Sequence, residues 1–246
     1  MIFDAHLHLV HANIPHFDEN PGYTGLSCVL SKDEYLRQQK MISSISLDSN
    51  IHFLTSFGIH PQKPDFTDRD FLTELLQQNR IDAIGECGFD FFTPEFKAQE
   101  KQQEEVWNFQ LEVAVEYGKV MVVHGRKCTD RFFRDVKMLR KVPAVIFHSW
   151  AGTLLEARSL LKKGVNAYFS FGKPLINGKK SAVECVKNLE AKRILLETDA
   201  PYQTLKNEEK TQTEDILKVY KTAELLRGEK LTPDYRDIFK GTETLN

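Results

Sequence analysis

Three side chains able to hold protons or metal ions alternate at the start of the chain, Asp4, His6 and His8 within Ile2-Phe3-Asp4-Ala5-His6-Leu7-His8-Leu9. Residues two apart on a β-strand share a face, so this spacing sets a carboxylate and two imidazoles side by side. Neutral imidazole nitrogens are common donors to divalent metals. Metal ligation is one reading of this face, and a half-buried strand turning its polar side to water is the other. Glu86, His124, His148 and Asp199 each stand at the C-terminal end of a segment that reads as a strand. With His6 and His8 they make a nitrogen and oxygen donor set suited to zinc, manganese, iron(II) or magnesium, large enough for two ions bridged by a carboxylate. Taken singly, each has a structural alternative: Glu86 could cap a helix or hold a salt bridge, and Asp199 before Ala200-Pro201 could be a turn residue. Taken together they are harder to explain that way, because charged residues are seldom buried unless paired or metal-bound.

The elements that would position them alternate along the chain. Strands are expected over residues 1–10, 26–30, 51–59, 81–86, 119–124, 144–148, 167–171 and 193–197. Helical spacing of apolar residues falls at 31–46, starting at Ser31 with Glu34 in a capping-box position, and again from 67 or 68 through Leu76. Further helices are expected at 94–117, 129–139, 153–161, 181–189 and 213–226, while the gap from Val10 to Gly25 shows none. The run Val120-Met121-Val122-Val123 is apolar without alternation, the mark of a strand covered on both faces. Eight such units predict an α/β fold, a single (β/α)8 TIM-type barrel over residues 1–246, with a shortened or missing first helix and an atypical C-terminus. An open doubly wound sheet is the competing architecture. In a parallel barrel the C-terminal strand ends share one rim, so residues nearly 200 positions apart can meet there.

Composition narrows the function classes. A chain of 246 residues with 41% hydrophobic and 28% charged residues can bury a core, unlike a disordered chain. No apolar run approaches the length of a membrane helix, and the start of the chain does not read as a secretory signal. Cys28, Cys87, Cys128 and Cys185 lie far apart with no Cys-x-x-Cys pair, which speaks against a zinc knuckle and suits free thiols in a cytoplasmic protein. A formal net charge of -2 and a pI near 6.5 leave no electrostatic footprint for gripping long duplex DNA. Contact with nucleic acid would be local, at single strands or strand ends, with Phe91, Phe92 and Trp150 as candidate stacking platforms, although core packing is the better expectation for each. No obligate protein partner is evident.

Six motifs carry the chemistry: Asp4-Ala5-His6-Leu7-His8-Leu9, Gly58-Ile59-His60-Pro61, Gly85-Glu86-Cys87-Gly88-Phe89-Asp90, Val123-His124-Gly125-Arg126, Phe147-His148-Ser149-Trp150-Ala151-Gly152 and Glu197-Thr198-Asp199-Ala200-Pro201-Tyr202. In this order, from residue 2 to about 202, they resemble the TatD family, metal-dependent hydrolases of the amidohydrolase-like barrel superfamily regarded chiefly as deoxyribonucleases. The resemblance implies that His6 and His8 bind one ion, that Glu86 bridges two, and that His124 and His148 complete the coordination of the second ion. Asp199 would lie on the first ion beside the attacking water, making Glu86 and Asp199 the catalytic pair. His60 and Arg126 match positions used near the scissile phosphate, and Asp4 and Asp90 are expected to orient ligands.

The chain departs from the family pattern at Ser149-Trp150, at Gly125 and Lys127-Cys128 around Arg126, and in residues 235–246, where the usual closing helix is not visible. These departures bear on substrate shape more than on metal ligation. The expected reaction is phosphodiester hydrolysis of DNA by a water activated on two divalent ions, magnesium, manganese or zinc. Hydrolysis of an amide, ester, lactone or small phosphodiester is the rival chemistry, since the same ions polarise a carbonyl. A catalytically silent metal-binding scaffold is the alternative outside enzymes.

Overall fold

Eight parallel strands pair in strict chain order: β1 (Ile2–Leu7), β2 (Tyr23–Val29), β3 (Ile51–Phe57), β4 (Ala83–Asp90), β5 (Val120–Arg126), β6 (Val145–Phe147), β7 (Ala167–Phe171) and β8 (Ile194–Leu196). The computed structural model describes residues 1–17, 21–46, 50–232 and 235–240. Sequential order without a reversal excludes the doubly wound sheet, whose order turns back at a switch point. The first and last strands close the ring through their C-terminal ends. Asp199 N–H donates to the His6 carbonyl at 2.9 Å and His8 N–H to the Ala200 carbonyl at 2.8 Å. The Asp4 carboxylate adds a side-chain clasp, accepting from Thr198 N–H at 2.9 Å and Thr198 Oγ1 at 2.7 Å.

Inside the ring, Phe3, Ala5, Leu26, Ala83, Val120, Val122, Ile146 and Leu195 form a closed apolar filling. Outside it, helices bury one face each against the strands, as Leu72, Leu75 and Leu76 of helix Arg69–Gln77 and Trp107 and Leu111 of helix Glu100–Glu116 do. Between β1 and β2 no helix occurs among the described residues, as the sequence predicts. The connecting loop is pinned to Glu214, which accepts from Asn13 Nδ2 at 3.0 Å and from His16 N–H at 2.7 Å.

Three expectations need correction. A closing helix does exist near the C-terminus, Tyr235–Phe239, and it plugs the barrel floor: Tyr235 stacks on Phe3 at 4.7 Å between ring centroids, with Phe239 at 6.4 Å. At five residues it is too short to show a helical period; residues 241–246 lie outside the described part. Residues 94–117 form two helices, Pro94–Lys97 and Glu100–Glu116, and residues 129–139 form Thr129–Arg134 and Val136–Leu139. The second break falls at Asp135, whose carboxylate accepts from Trp107 Nε1 at 2.9 Å. Finally, β4 runs on past Glu86 to Asp90. It does so because Gly85 and Gly88, at φ +151° and +132°, let β5 approach so closely that a Cβ on Gly88 would stand 2.1 Å from the His124 carbonyl oxygen.

Candidate functional site

The C-terminal rim collects the predicted residues around one carboxylate. His6 comes from β1 and Glu86 from β4, while His8, His60, His148 and Asp199 follow β1, β3, β6 and β8 directly or within a few residues. His6, His8, Glu86, His148 and Asp199 are all buried. Glu86 Oε1 lies 3.0 Å from His6 Nε2 and 2.9 Å from His8 Nε2. Its other oxygen lies 3.2 Å from His60 Nε2, 3.4 Å from His124 Nδ1 and 3.1 Å from His148 Nε2. Asp199 Oδ1 stands 3.5 and 3.6 Å from His6 Nε2 and His8 Nε2. One carboxylate therefore serves two donor groups, one on each oxygen, as a bridging ligand would.

The donor set fits divalent ions. Ligand atoms bound at 2.0–2.2 Å around one tetrahedral ion lie about 3.4 Å apart, and the carboxylate oxygens of Glu86 and Asp199 stand 2.9 to 3.6 Å from the imidazole nitrogens they face. The electrostatics agree. Burial by itself would raise the Glu86 pKa, but the imidazoles of His6, His148 and His60 hold it well below the usual carboxylate range. Burial pulls His6 down to about 4 and lowers His60. Burial also works against charge on His148, yet Glu86, Glu197 and Asp199 outweigh it and lift this imidazole to about 9. A buried anion ringed by imidazoles that cannot all take protons is a site for cations.

An outer ring of partners fixes these side chains. Asp90 Oδ2 lies 3.0 Å from His124 Nε2 and accepts from Gln62 Nε2 at 2.8 Å, which turns Nδ1 of His124 toward Glu86. Against burial, His124, Gln62 and the Phe92 N–H hold Asp90 down to about 2. Cys28 Sγ sits 3.3 Å from His6 Nδ1, leaving Nε2 for the centre. Asp4 touches no imidazole ring; it clasps β1 to residue 198 and thereby sets where His6, His8 and Asp199 meet.

His60, expected beside a substrate phosphate, has its Nε2 within the donor group on Glu86. Arg126 stands at the rim with its side chain 40% exposed, 3.8 Å from Asp90. Phe91 and Trp150 are buried in the core, so neither offers a stacking surface. Phe92, by contrast, is 49% exposed. A cavity of about 540 Å³ opens over the centre, lined among others by Glu86, Arg126, Lys179, Asp199, Tyr202 and Gln203.

Two partners were not singled out from the sequence. Gln203 Nε2 donates to Asp199 Oδ2 and to Ser149 Oγ, both at 2.8 Å, leaving Asp199 Oδ1 to face His6 and His8. Glu197 is fully buried; it accepts from Ser149 N–H at 2.8 Å and bonds the Ser170 hydroxyl. Glutamine on a polar loop carries no signal, and Glu197 shows only as part of a motif whose aspartate takes the attention. Asp199 and Ser149 both have left-handed backbones, at φ +53° and +46°, the kind of local strain that clusters at functional sites.

Burial lifts Glu197 to about 8, against the pull of the neighbouring His148. Its folded pKa lies above its unfolded one; the resulting stabilisation is complete below about pH 4.5 and is lost as pH rises through about 8. Glu197→Gln copies the protonated acid. Urea unfolding of the metal-free proteins is expected to show the variant gaining stability relative to wild type between pH 5 and pH 9. A difference independent of pH would mean that Glu197 is ionised throughout.

Comparison with known proteins agrees with this architecture. A solved TatD homologue from Escherichia coli K12 superposes with a TM-score of 0.76 over 97% of this chain and 93% of its own, at 20% identity. A putative deoxyribonuclease of Encephalitozoon cuniculi is 31% identical over 163 residues, 64% of this chain and 55% of that protein. A protein of Escherichia fergusonii named as a 3'-5' ssDNA/RNA exonuclease is 29% identical over 157 residues, 61% of this chain and 59% of its own length. The chain thus spans little more than half the length of these two relatives. The family model described as TatD related DNase matches residues 3–238, nearly the whole chain, and the protein belongs to the TatD family.

Proposed function

We propose that this protein is a divalent-metal-dependent hydrolase that cleaves phosphodiester bonds at the ends of single-stranded nucleic acid, DNA first. The observation that carries this reading is Glu86, one buried carboxylate with two imidazoles on one oxygen and three on the other, under a cavity edged by Arg126 and Lys179. His6, His8, Glu86 and Asp199 would hold one ion, and Glu86, His124 and His148, with His60 beside them, a second. Divalent ions held there lower the pKa of water toward neutrality and polarise phosphoryl oxygens, with magnesium, manganese and zinc as the candidates.

The chain's own groups supply the rest. Gln203 occupies Oδ2 of Asp199 and leaves Oδ1 beside His6 and His8, where it would face the ion and take or orient the proton of the attacking water. Arg126 neutralises the phosphate with a planar guanidinium able to contact two oxygens at once. A cavity of about 540 Å³ on a chain of net charge -2 favours a strand end entering the site over a grip along duplex, which needs many phosphate contacts. The exonuclease name of the Escherichia fergusonii relative points the same way. No helix among the described residues is long and apolar enough to cross a membrane. The four free, buried cysteines support a reducing compartment, the cytoplasm.

The test is hydrolysis of 3'-labelled and 5'-labelled single-stranded DNA by metal-stripped protein, with Mg²⁺, Mn²⁺ or Zn²⁺ restored. Metal-dependent shortening is expected, and the two labels reveal the end attacked. No cleavage by protein shown to hold metal would overturn the nuclease reading in favour of a small phosphodiester or a carbonyl substrate. Arg126→Ala is expected to lower kcat/KM on a phosphodiester about 10- to 100-fold, the worth of a charge-assisted hydrogen bond, and to change turnover of a neutral ester such as p-nitrophenyl acetate far less. Equal losses on both substrates would remove Arg126 from phosphate recognition.

A further inference from the structure

Beside the cavity, one ring and two cations stand apart from the metal centre. Phe92 is 49% exposed, an unusual place for a large apolar side chain next to a polar site. The Arg126 guanidinium carbon lies 3.9 Å from its ring centroid and Lys127 Nζ lies 4.6 Å away. Lys127 reaches that position from a left-handed backbone, φ +56°, and its Nζ also donates to the Phe92 carbonyl at 3.3 Å. The cluster is therefore held in place rather than loosely displayed.

Its register to the centre is set by Asp90. One oxygen of this fully buried carboxylate accepts from Phe92 N–H at 2.9 Å; the other lies 3.0 Å from the candidate ligand His124 and 3.8 Å from Arg126. Phe91 N–H donates to the Arg126 carbonyl at 2.9 Å, tying the two strand ends together. Ring, guanidinium and metal-side imidazole thus share one buried anchor.

We infer that Phe92, with Arg126 and Lys127, forms a nucleobase subsite: the base of a nucleotide next to the scissile phosphate stacks on the part of the Phe92 ring that the two cations leave exposed, while those cations meet its backbone phosphates. Stacking on an aromatic ring tolerates any base, because every base has a π-face, and neighbouring cations supply the phosphate contacts single strands need. This deepens the nuclease reading and rests on it. It gives the near-neutral chain a local grip on a strand without a basic surface.

The experiment measures cleavage of single-stranded oligonucleotides in which an abasic residue is placed at successive positions from the attacked end, by wild type, Phe92→Ala and Phe92→Trp. Metal content and melting temperature confirm that the variants are intact. Phe92→Ala is expected to raise KM about 10-fold or more on the normal strand, and Phe92→Trp to retain wild-type KM. At one position the abasic residue should cost wild type the same factor and cost Phe92→Ala nothing further, the signature of two groups in contact. Losses that multiply at every position would overturn the subsite and leave Phe92 as a clamp on Arg126. If wild type cleaves no strand, the nuclease reading itself fails; cleavage with unchanged KM in Phe92→Ala removes only the subsite.

Discussion

Glu86→Ala is expected to cut metal-dependent phosphodiester hydrolysis by more than about 10³-fold, a barrier increase of about 4 kcal/mol, and to lower the number of tightly held divalent ions per chain. Both effects have one cause, because each carboxylate oxygen faces its own set of imidazoles and a single substitution removes a donor from both. Circular dichroism should remain that of the wild type, since Glu86 takes no part in the apolar filling of the barrel. The metal-free proteins supply a readout independent of activity. His148 is lifted to about 9, above its ordinary 6.5, by carboxylates among which Glu86 is foremost. The stabilisation from that pairing is fully present below about pH 6.5 and disappears as pH rises through about 9. In the presence of chelator, Glu86→Ala should therefore lose more stability relative to wild type at pH 6 than at pH 9.5. Tight binding of two ions by Glu86→Ala, or full activity, would refute the shared-ligand arrangement.

The sequence showed this centre as far as local periodicity could carry it. Asp4, His6 and His8 were legible because a strand repeats every two residues, and Glu86, His124, His148 and Asp199 because each ends an apolar run. Chain order was legible too, since helices alternate with strands whose residues are buried on both faces. Long-range closure was not. That Asp4 meets Thr198 rather than an imidazole depends on a contact 194 residues apart, which no local pattern encodes. The extension of β4 to Asp90 was concealed by Gly85 and Gly88, which read as a stop in sequence and act as close-approach points in space. His60, just before Pro61, was read as a neighbour of the substrate phosphate, and local pattern gave no sign that its Nε2 would stand 3.2 Å from Glu86. The floor helix Tyr235–Phe239 escaped because its evidence is tertiary, two aromatic rings packed on Phe3.

Asp199→Ala is expected to reduce kcat by more than about 10³-fold while His124 and His148, on the far side of Glu86, keep their ion. Asp199→Asn should be nearly as defective, for a reason specific to this loop. Gln203 Nε2 donates to Oδ2 from 2.8 Å, so an asparagine must turn its amide oxygen toward Gln203 and aim its N–H groups at His6 and His8. A donor would then stand where a cation and a water proton need an acceptor. The same bond predicts how the two residues combine. Gln203→Leu alone is expected to cost about 10-fold in affinity for the ion beside His6 and His8, within the range seen when a ligand's orienting partner is lost, as measured by calorimetric titration. In an Asp199→Ala background the Gln203→Leu change should cost nothing more, because nothing remains for Gln203 to orient. Independent losses would show that Gln203 acts through Ser149, its other acceptor at 2.8 Å, and that Asp199 holds its orientation from the left-handed turn at φ +53° alone.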